Sequence, residues 1–310
     1  MINIFIDGKN GTTGLKIEER LSAAGNVNLI TLSEDKRKDV GARKEALNSA
    51  DVAFLCLPDD AARQAVSLIE NDKVCVIDAS TAHRTAAGWA YGFPELSKEH
   101  EENIRKGKRI AVPGCHASGF IALIYPLVKN GLIDKTAFLT CTSLTGYSGG
   151  GKKMIAEYES GDKSRLLAAP RVYGISQAHK HLPEMTAVTG LTTAPAFIPT
   201  VCDFYSGMEV AVPIFKSQLV KGDAETVKAI YKELYCGKTV KYTEDSEDGF
   251  LSAAKLCGKD GMEISVFGNE DRILLIARYD TLGKGASGAA IEPYGRAGRL
   301  SPRRWRRCLS

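Results

Sequence analysis

The sequence predicts an α/β chain in two parts: a parallel sheet wrapped by helices, followed by an α+β domain with a mixed or antiparallel sheet. Three observations predict it. Short apolar runs alternate with amphipathic stretches up to about residue 114, the pattern of βαβ crossovers. Glycines 8, 11 and 14 punctuate the first junction between run and stretch. Beyond residue 115, "TAFLTCTSLTGYS", "MEVAVPIF", "MEISVFGN" and "DRILLIARYD" read as strands, with helices such as "AETVKAIYKELY" between them. At 310 residues the chain is long enough for two domains. The expected boundaries are 1–114 for the first, with a return of 284–310 to it, and 115–283 for the second.

The elements follow in order. "INIFI" (2–6) is a strand ending at Asp7-Gly8, and "GLKIEERLSAA" (14–24) has apolar residues at 15, 17 and 21, an amphipathic helix. "NVNLITLS" is a strand, "KEALNSA" a helix fragment, "DVAFLCLP" a strand, "AARQAVSLIE" a helix and "KVCVIDAS" a strand. "RIAVPGCHASGFIALIYPL" (109–127) is a short apolar run closed by Pro113-Gly114, then Cys115 and His116, then a helical pattern.

Composition narrows the function classes. The chain is 44% hydrophobic and 25% charged, without a low-complexity tract or an apolar run of membrane-spanning length. The beginning has no signal-peptide pattern. The eight cysteines (56, 75, 115, 141, 202, 236, 257, 308) show no CxxC and several sit inside apolar strands, the usage of a reducing compartment. The expectation is a cytoplasmic protein. Residues 291–310 hold six arginines and one glutamate; removing them from 41 basic and 37 acidic residues leaves 35 and 36. The formal charge of +4 is therefore local to that segment, and a nucleic-acid footprint is not expected.

Four motifs carry chemistry. In "IFIDGKNGTTGLKI", Gly8, Gly11, Thr12, Thr13 and Gly14 lie between strand and helix. There glycine permits close backbone approach and free N–H groups face a pyrophosphate, as in a Rossmann-like nucleotide domain. The spacing is GxxGxxG, so position in the chain supports the reading more than the pattern does. At the second strand's end, Ser33 with Lys36 or Arg37 suits the 2′-phosphate of NADP, while Glu34 argues for NAD; a solvated charged turn is the plain alternative. NADPH/NADP is the expected cofactor.

Cys115 is singled out from the other cysteines by its Pro-Gly turn before and helix after. A helix N-terminus lowers a thiol's pKa and offers N–H groups to an oxyanion, whereas most cysteines are simply core. Ser118 could cap that helix or touch substrate. A thiolate nucleophile needs a base, and "AHKHLPEM" supplies His179, His181 and Glu184. His181 is preferred because Glu184 lies closer to it in sequence; His179 remains open. HxHxxE as a metal site is the rival, set aside for want of a third histidine or cysteine cluster nearby. Three further cues suit an anionic substrate. They are Arg84 in "DASTAHRT", the glycine-rich "SLTGYSGGGKKM" with Ser148, and "DTLGKGASGAA" with Gly285, which reads as close packing against a cofactor.

With these residues assembled, the chain resembles the short-form N-acetyl-gamma-glutamyl-phosphate reductase family of arginine biosynthesis. The resemblance runs from residue 1 to about 291 through "GKNGTTG", "LPDDAA", "DASTAHRT", "YGFPEL", "VPGCHASG", "TGYSGGGKKM", "AHKHLPEM" and "GKGASGAA". That family is grouped with the aspartate-semialdehyde and glyceraldehyde-3-phosphate dehydrogenases. The resemblance implies an NADPH-dependent reduction of an acyl phosphate to a semialdehyde and phosphate. Cys115 would form a thioester, a histidine of "HKH" would be the acid-base group and Arg84 would contact the substrate anion. Ser118 and Ser148 would lie at the substrate, and Glu95 in "YGFPEL" would be architectural. It also implies a homodimer or homotetramer. Reduction of a related acyl phosphate, such as an aspartyl or carrier-bound aminoadipyl phosphate, and a non-catalytic NADP-binding regulator are the alternatives.

The chain departs from the family after Ala290. "IEPYGRAGRLSPRRWRRCLS" lacks an amphipathic period, while one codon string for 292–299 read in a shifted frame spells Gln-Asn-Leu-Met-Val-Gly-Leu-Asp, a family-like helix. The expectation is an out-of-frame end, which sequencing of the coding DNA tests.

Overall fold

The alternating pattern of the first third folds as β1 (Ile2–Asp7), α1 (Thr12–Ala23), β2 (Val27–Ile30), α2 (Val40–Ser49), β3 (Val52–Leu55), α3 (Asp59–Ser67), β4 (Cys75–Asp78), β5 (Ala90–Tyr91), α4 (Lys98–Lys106) and β6 (Arg109–Ala111). The structure, a computed structural model, describes residues 1–23 and 27–294. These separate into two compact units. In the first, six strands lie in the order β2-β1-β3-β4-β6-β5 and every pairing is parallel. Crossover helices cover both faces, so β3 and β4 are buried at every residue and are apolar throughout except for Asp78 at the end of β4. Ile4, Ile6, Val52, Phe54 and Ile77 pack with Ile17 and Leu21 of α1.

The second unit holds residues 95–97 and 114–285. Its elements are α5 (Cys115–Lys129), β7 (Thr140–Gly146), α6 (Gly151–Glu159), β8 (Arg171–Val172), α7 (Leu182–Thr189), β9 (Ala196–Cys202), β10 (Met208–Phe215), α8 (Ala224–Leu234), β11 (Val240–Tyr242), β12 (Met262–Gly268) and β13 (Arg272–Tyr279). The seven-stranded sheet runs β11-β12-β13-β10-β7-β9-β8. It is mixed: β7–β9 and β11–β12 are parallel, and the remaining pairs antiparallel. The expected fold class is thus the observed one. Short β8 and β11, the parallel partner β9 and helix α7 are additions that the apolar pattern alone does not mark.

Helix α5 forms the core of this unit, with 12 of its 15 residues buried. It contains Pro126, which removes the N–H that would bond Ala122 O. The hydroxyl of Tyr235, at the end of α8, donates to Ala122 O at 2.6 Å, and that of Tyr231 donates to Leu123 O. Two buried phenols thus satisfy the carbonyls where proline interrupts the helix. On the sheet beside α5, Val210 and Val212 of β10 and Leu275 and Ala277 of β13 point inward and are buried.

After β13 the chain returns to the first unit through α9 (Gly288–Tyr294), whose Ala289, Ala290 and Ile291 join the core around β1 and β4. The departure from the family pattern after Ala290 thus begins inside a helix. Residues 295–310, which carry the arginine-rich and out-of-frame expectations, lie outside the described residues.

Candidate active site

Two sites emerge, one in each unit. In the first unit, Gly8 has φ +85°, and a Cβ there would lie 2.3 Å from Cys56 O. Gly14 is equally constrained, since a Cβ would lie 2.7 Å from Gly8 O. Gly11 N–H closes the turn on Gly8 O at 3.1 Å. Thr12 and Thr13 open α1, two residues before the expected start. Beside this turn is a cavity of about 380 Å³, lined among others by Gly8, Gly11, Glu34, Arg37, Lys38 and Arg43. Arg43 is pinned by a buried pair of bonds to Asp7 Oδ2, at 2.8 and 3.0 Å. Burial is the largest influence on Asp7 and pushes its carboxyl up, with Arg43 opposing.

β2 stops at Ile30, so the polar residues expected at its end form a separate turn. Arg37 lines the cavity and pairs with Glu34 at 2.6 Å, and Asn10 donates to the same carboxylate at 3.0 Å. Ser33 and Lys36 are exposed and do not line it. The hydroxyl of Ser33 instead holds the Asp35 carboxyl below its usual range. Lys38 is the cation that the sequence reading passed over. Arg84 is part-buried; its guanidinium donates to Val112 O at 2.9 Å and Ala79 O at 3.3 Å. Its neighbour His83 bonds Asp78 at 2.6 Å and stacks on Trp89 at 4.1 Å.

In the second unit Cys115 is the first residue of α5, and Gly114 is its extended N-cap, with φ −72° and ψ 143°. Cys115 as a residue is partly accessible. Glu184, buried in the first turn of α7, accepts the Gly114 N–H at 2.7 Å. This carboxylate fixes the turn that precedes Cys115. Ser118 is fully buried and bonds back to Gly114 O through both its N–H (2.8 Å) and its hydroxyl (3.0 Å), inside the first turn of the helix.

Tyr279 of β13 completes the support. Its hydroxyl donates to Cys115 O at 2.5 Å and accepts from Gly119 N at 3.1 Å. Only a residue without a side chain lets the phenol in, because a Cβ on Gly119 would lie 2.7 Å from the Tyr279 hydroxyl and 2.5 Å from Val210 Cγ2. Gly119→Ala is expected to destabilise the unit by about 1–3 kcal/mol through overpacking, read as a lowered Tm, and to cut turnover by displacing the first turn. Gly285 closes the other side: a Cβ there would be 3.2 Å from Cys115 Cβ. Its neighbour Lys284 is fully buried and pairs with Glu95 at 2.8 Å.

Three imidazoles gather beside this turn. Ring centroids of His116, His179 and His181 lie 4.8–5.8 Å from one another. The loop carrying His179 and His181 is docked on β9 by Gln177, whose amide bonds Phe197 O at 2.7 Å and Phe197 N at 2.8 Å. Gln177 itself sits at φ +53°. His179 Nδ1 accepts the His181 N–H at 3.2 Å, and burial lowers the His179 pKa. His116 is buried between Ser143 Oγ (2.6 Å) and Tyr173 OH (2.5 Å), and burial, then the nearby His179, lowers its pKa to about 3.

His116 gives a pH prediction. Its folded value is depressed, so between about 6.5 and 3 the unfolded chain binds a proton that the folded chain refuses. That contribution to stability is present above pH 6.5 and falls away as the pH drops through this window. Denaturant midpoints measured from pH 7 to pH 4 should decline less steeply for His116→Asn than for the native chain.

The glycine-rich segment places Ser148 in a buried turn between β7 and α6, its N–H bonded to Tyr205 O at 2.9 Å. Among the described residues its hydroxyl has no partner. Lys152 and Lys153 are exposed. No group of three or more His, Cys, Asp or Glu side chains among the described residues is arranged to hold a metal ion.

Comparison with known proteins decides the family. Residues 3–104 match the model described as semialdehyde dehydrogenase, NAD binding domain, and residues 115–281 match semialdehyde dehydrogenase, dimerisation domain. The chain is 42% identical over 300 residues to an N-acetyl-gamma-glutamyl-phosphate reductase of Sinorhizobium medicae, covering 93% of this chain and 96% of that protein. It is also 42% identical to N-acetyl-gamma-glutamyl-phosphate reductase 2 of a Nostoc species, covering 93% and 94%. The chain belongs to the N-acetyl-gamma-glutamyl-phosphate reductase family. Solved structures share the fold. Aspartate semialdehyde dehydrogenase II from Vibrio cholerae complexed with ASA superposes with TM-score 0.72 at 16% identity, covering 96% of this chain and 98% of that one. Aspartate semialdehyde dehydrogenase with NADP from Candida albicans gives 0.67 at 15% identity, covering 97% and 100%.

For this reductase family member, sequence reasoning placed Cys115, His179, His181, Glu184 and Ser148 in the second domain and Gly285 in the returning segment; all six lie in the second unit. It missed His116, Tyr173, Gly119 and Tyr279. The sole signal for Gly119 was a glycine inside an otherwise apolar helix; the two tyrosines carry no local signal.

Proposed function

We propose that this chain reduces N-acetyl-gamma-glutamyl phosphate to N-acetylglutamate 5-semialdehyde and phosphate, with NADPH as reductant. The observation that carries the reading is the built turn at Cys115, partly accessible at the start of α5, with Glu184 on Gly114 N–H and imidazoles beside it. The 42% identity to named reductases supports the substrate class.

The first unit is the dinucleotide-binding domain in this reading, with boundaries at 1–114 and a return near 286. The second is the catalytic and oligomerising domain. The residues around the 380 Å³ cavity fit the cofactor: Gly8 leaves the space that a side chain would fill, and Arg37 and Lys38 provide cations for a 2′-phosphate. When bound, NADPH supplies the hydride. Gly11, Thr12, Thr13 and Gly14 would hold the pyrophosphate at the start of α1.

The protein's own residues do the rest. The Cys115 thiolate attacks the acyl carbon; the C–S bond forms, the C–O bond to phosphate breaks and inorganic phosphate leaves. The N-terminal end of the α5 dipole would stabilise the developing oxyanion. After hydride reaches the carbonyl carbon, His181 or His179 protonates the resulting oxygen. The same imidazole removes that proton as the C–S bond breaks, releasing aldehyde and restoring the thiolate. Ser148 offers an uncommitted hydroxyl to the substrate, and Arg84 a cation for its phosphate or carboxylate.

Among the described residues no helix is long and apolar enough to cross a membrane, and we place the enzyme in the cytoplasm. A homodimer or homotetramer is proposed as well. The sheet face opposite α5 leaves Phe138 and Phe215 78% and 60% exposed, around an apolar depression with Pro213 and Leu274. The test of function is phosphate-dependent reduction of NADP⁺ by N-acetylglutamate semialdehyde. Signal with this aldehyde, and little with aspartate semialdehyde, is expected. Absence of turnover with any semialdehyde, alongside tight NADPH binding, would overturn the reading.

A further inference from the structure

The cavity of the first unit is lined by charges of both signs, and their hydrogen bonds sort them. Arg43 is committed to Asp7 by two buried bonds, and Lys9 lies 3.8 Å from Glu18. That leaves Glu34, Arg37 and Lys38, all on the turn that follows β2. The backbone fixes this turn. Lys36 N–H and Arg37 N–H both donate to Ser33 O at 3.0 Å, and Asp39 N–H donates to Lys36 O at 2.9 Å. Glu34 and Arg37, three residues apart, meet at 2.6 Å.

Each of the three keeps capacity for a ligand. Glu34 Oε2 accepts from Arg37 Nε and Oε1 accepts from Asn10 Nδ2, one donor per oxygen, so a lone pair is left on each. Arg37 spends Nε on that bond; its terminal nitrogens and the Lys38 ammonium have no partner among the described residues. The Glu34 and Arg37 side chains are 71% and 47% exposed, so their pair is a weak one that a ligand exchanges readily. Asn10 belongs to the glycine-rich turn, which ties the carboxylate to the segment assigned to the pyrophosphate.

The two nicotinamide cofactors differ only at the adenosine ribose, where one presents a neutral 2′-hydroxyl and the other a phosphate of charge about −1.5 to −2. The hydroxyl calls for an acceptor and the phosphate for cations. A nucleotide site commonly offers one or the other, whereas this turn offers both: one carboxylate beside two cations, a local charge of +1.

We propose that Glu34 makes this a dual cofactor site. Its carboxylate accepts the 2′-hydroxyl of NADH, while Arg37 and Lys38 take the 2′-phosphate of NADPH. Glu34 then sets the ratio between the two, favouring NADH as an acceptor and holding NADPH back by its like charge. The role rests on the reading of this cavity as the cofactor site and goes beyond it in admitting a second cofactor.

The experiment is titration of the full chain with NADPH and with NADH, each followed by its own fluorescence. The native chain is expected to bind both, NADPH about ten- to a hundredfold tighter, the worth of charge-assisted bonds to one phosphate. Glu34→Gln takes the local charge from +1 to +2 and removes the anionic acceptor. It should lower the Kd for NADPH by about three- to fivefold and raise that for NADH by a similar factor. Opposite signs are the signature, since a loosened fold would weaken both. Arg37→Gln should raise the Kd for NADPH about tenfold and leave that for NADH within about twofold. Adenosine 2′,5′-bisphosphate and AMP, used as competitors, should repeat the two patterns and so locate the effect at the adenosine end.

NADH that fails to bind at millimolar concentration would overturn the proposal, as would shifts of one sign or an unchanged ratio in Glu34→Gln. Each of those results leaves NADPH-dependent turnover intact. Failure of both cofactors to bind would overturn the cofactor site itself and this proposal with it.

Discussion

Cys115→Ala is expected to abolish acyl-phosphate reduction, by a factor of about 10⁴ or more, because the proposed covalent route has no substitute once the sulfur is removed. The substitution removes one sulfur from a partly accessible position, and Glu184, Ser118 and Tyr279 hold the turn through backbone atoms that alanine keeps. Folding should therefore be preserved, with Tm within a few degrees of the native chain. NADPH affinity, measured by fluorescence titration, should be retained because the residues lining its proposed cavity are untouched. The informative pattern is intact cofactor binding with no turnover and no acid-stable acyl adduct. Full activity in this variant would remove the thioester and with it the proposed mechanism.

The largest stability effect is expected at Glu95. Lys284 is fully buried, and the Glu95 carboxylate, itself nearly buried, sits 2.8 Å from its ammonium. Breaking such a buried pair from one side costs about 3–5 kcal/mol. At roughly 2–4 °C per kcal/mol for a unit of this size, Glu95→Ala should lower Tm by about 10 °C. Replacing both partners, as Glu95→Ala with Lys284→Met, should recover much of the loss, since an apolar pair avoids the desolvation of either ion. Activity should fall in the single variant even below its Tm, because Gly285, next to Lys284, packs against Cys115 Cβ. A Tm change under 2 °C for Glu95→Ala would show that water reaches the ammonium. "YGFPEL" is thus tied to the candidate site through the chain segment beside Cys115.

The parts legible from sequence were those encoded locally. A period of two or of 3.6 residues marks a strand or helix within a dozen positions, so the parallel sheet and strands such as β10, β12 and β13 could be read directly. Cys115 was legible because the Pro-Gly turn and the helical pattern adjoin it. What escaped was set by contacts distant in sequence: Glu184 reaches Gly114 across 70 residues, and Tyr279 reaches Cys115 across 164. Nothing near Tyr279 distinguishes it from other apolar strand residues. Beside the glycine-rich turn, the sequence pattern does not show which side chains face the cavity. With β2 ending at Ile30, Arg37 and Lys38 face the cavity, whereas Ser33 and Lys36 face outward.

The phenol of Tyr279, joining one carbonyl and one amide of the first helical turn to a central strand, also bears on how the enzyme fails when heated. Helix ends are ordinarily the first places to fray, and a site built on one would lose competence well before the body of the protein melts. Here the frayable end is riveted to the sheet, so thermal inactivation should coincide with cooperative melting of the whole second unit.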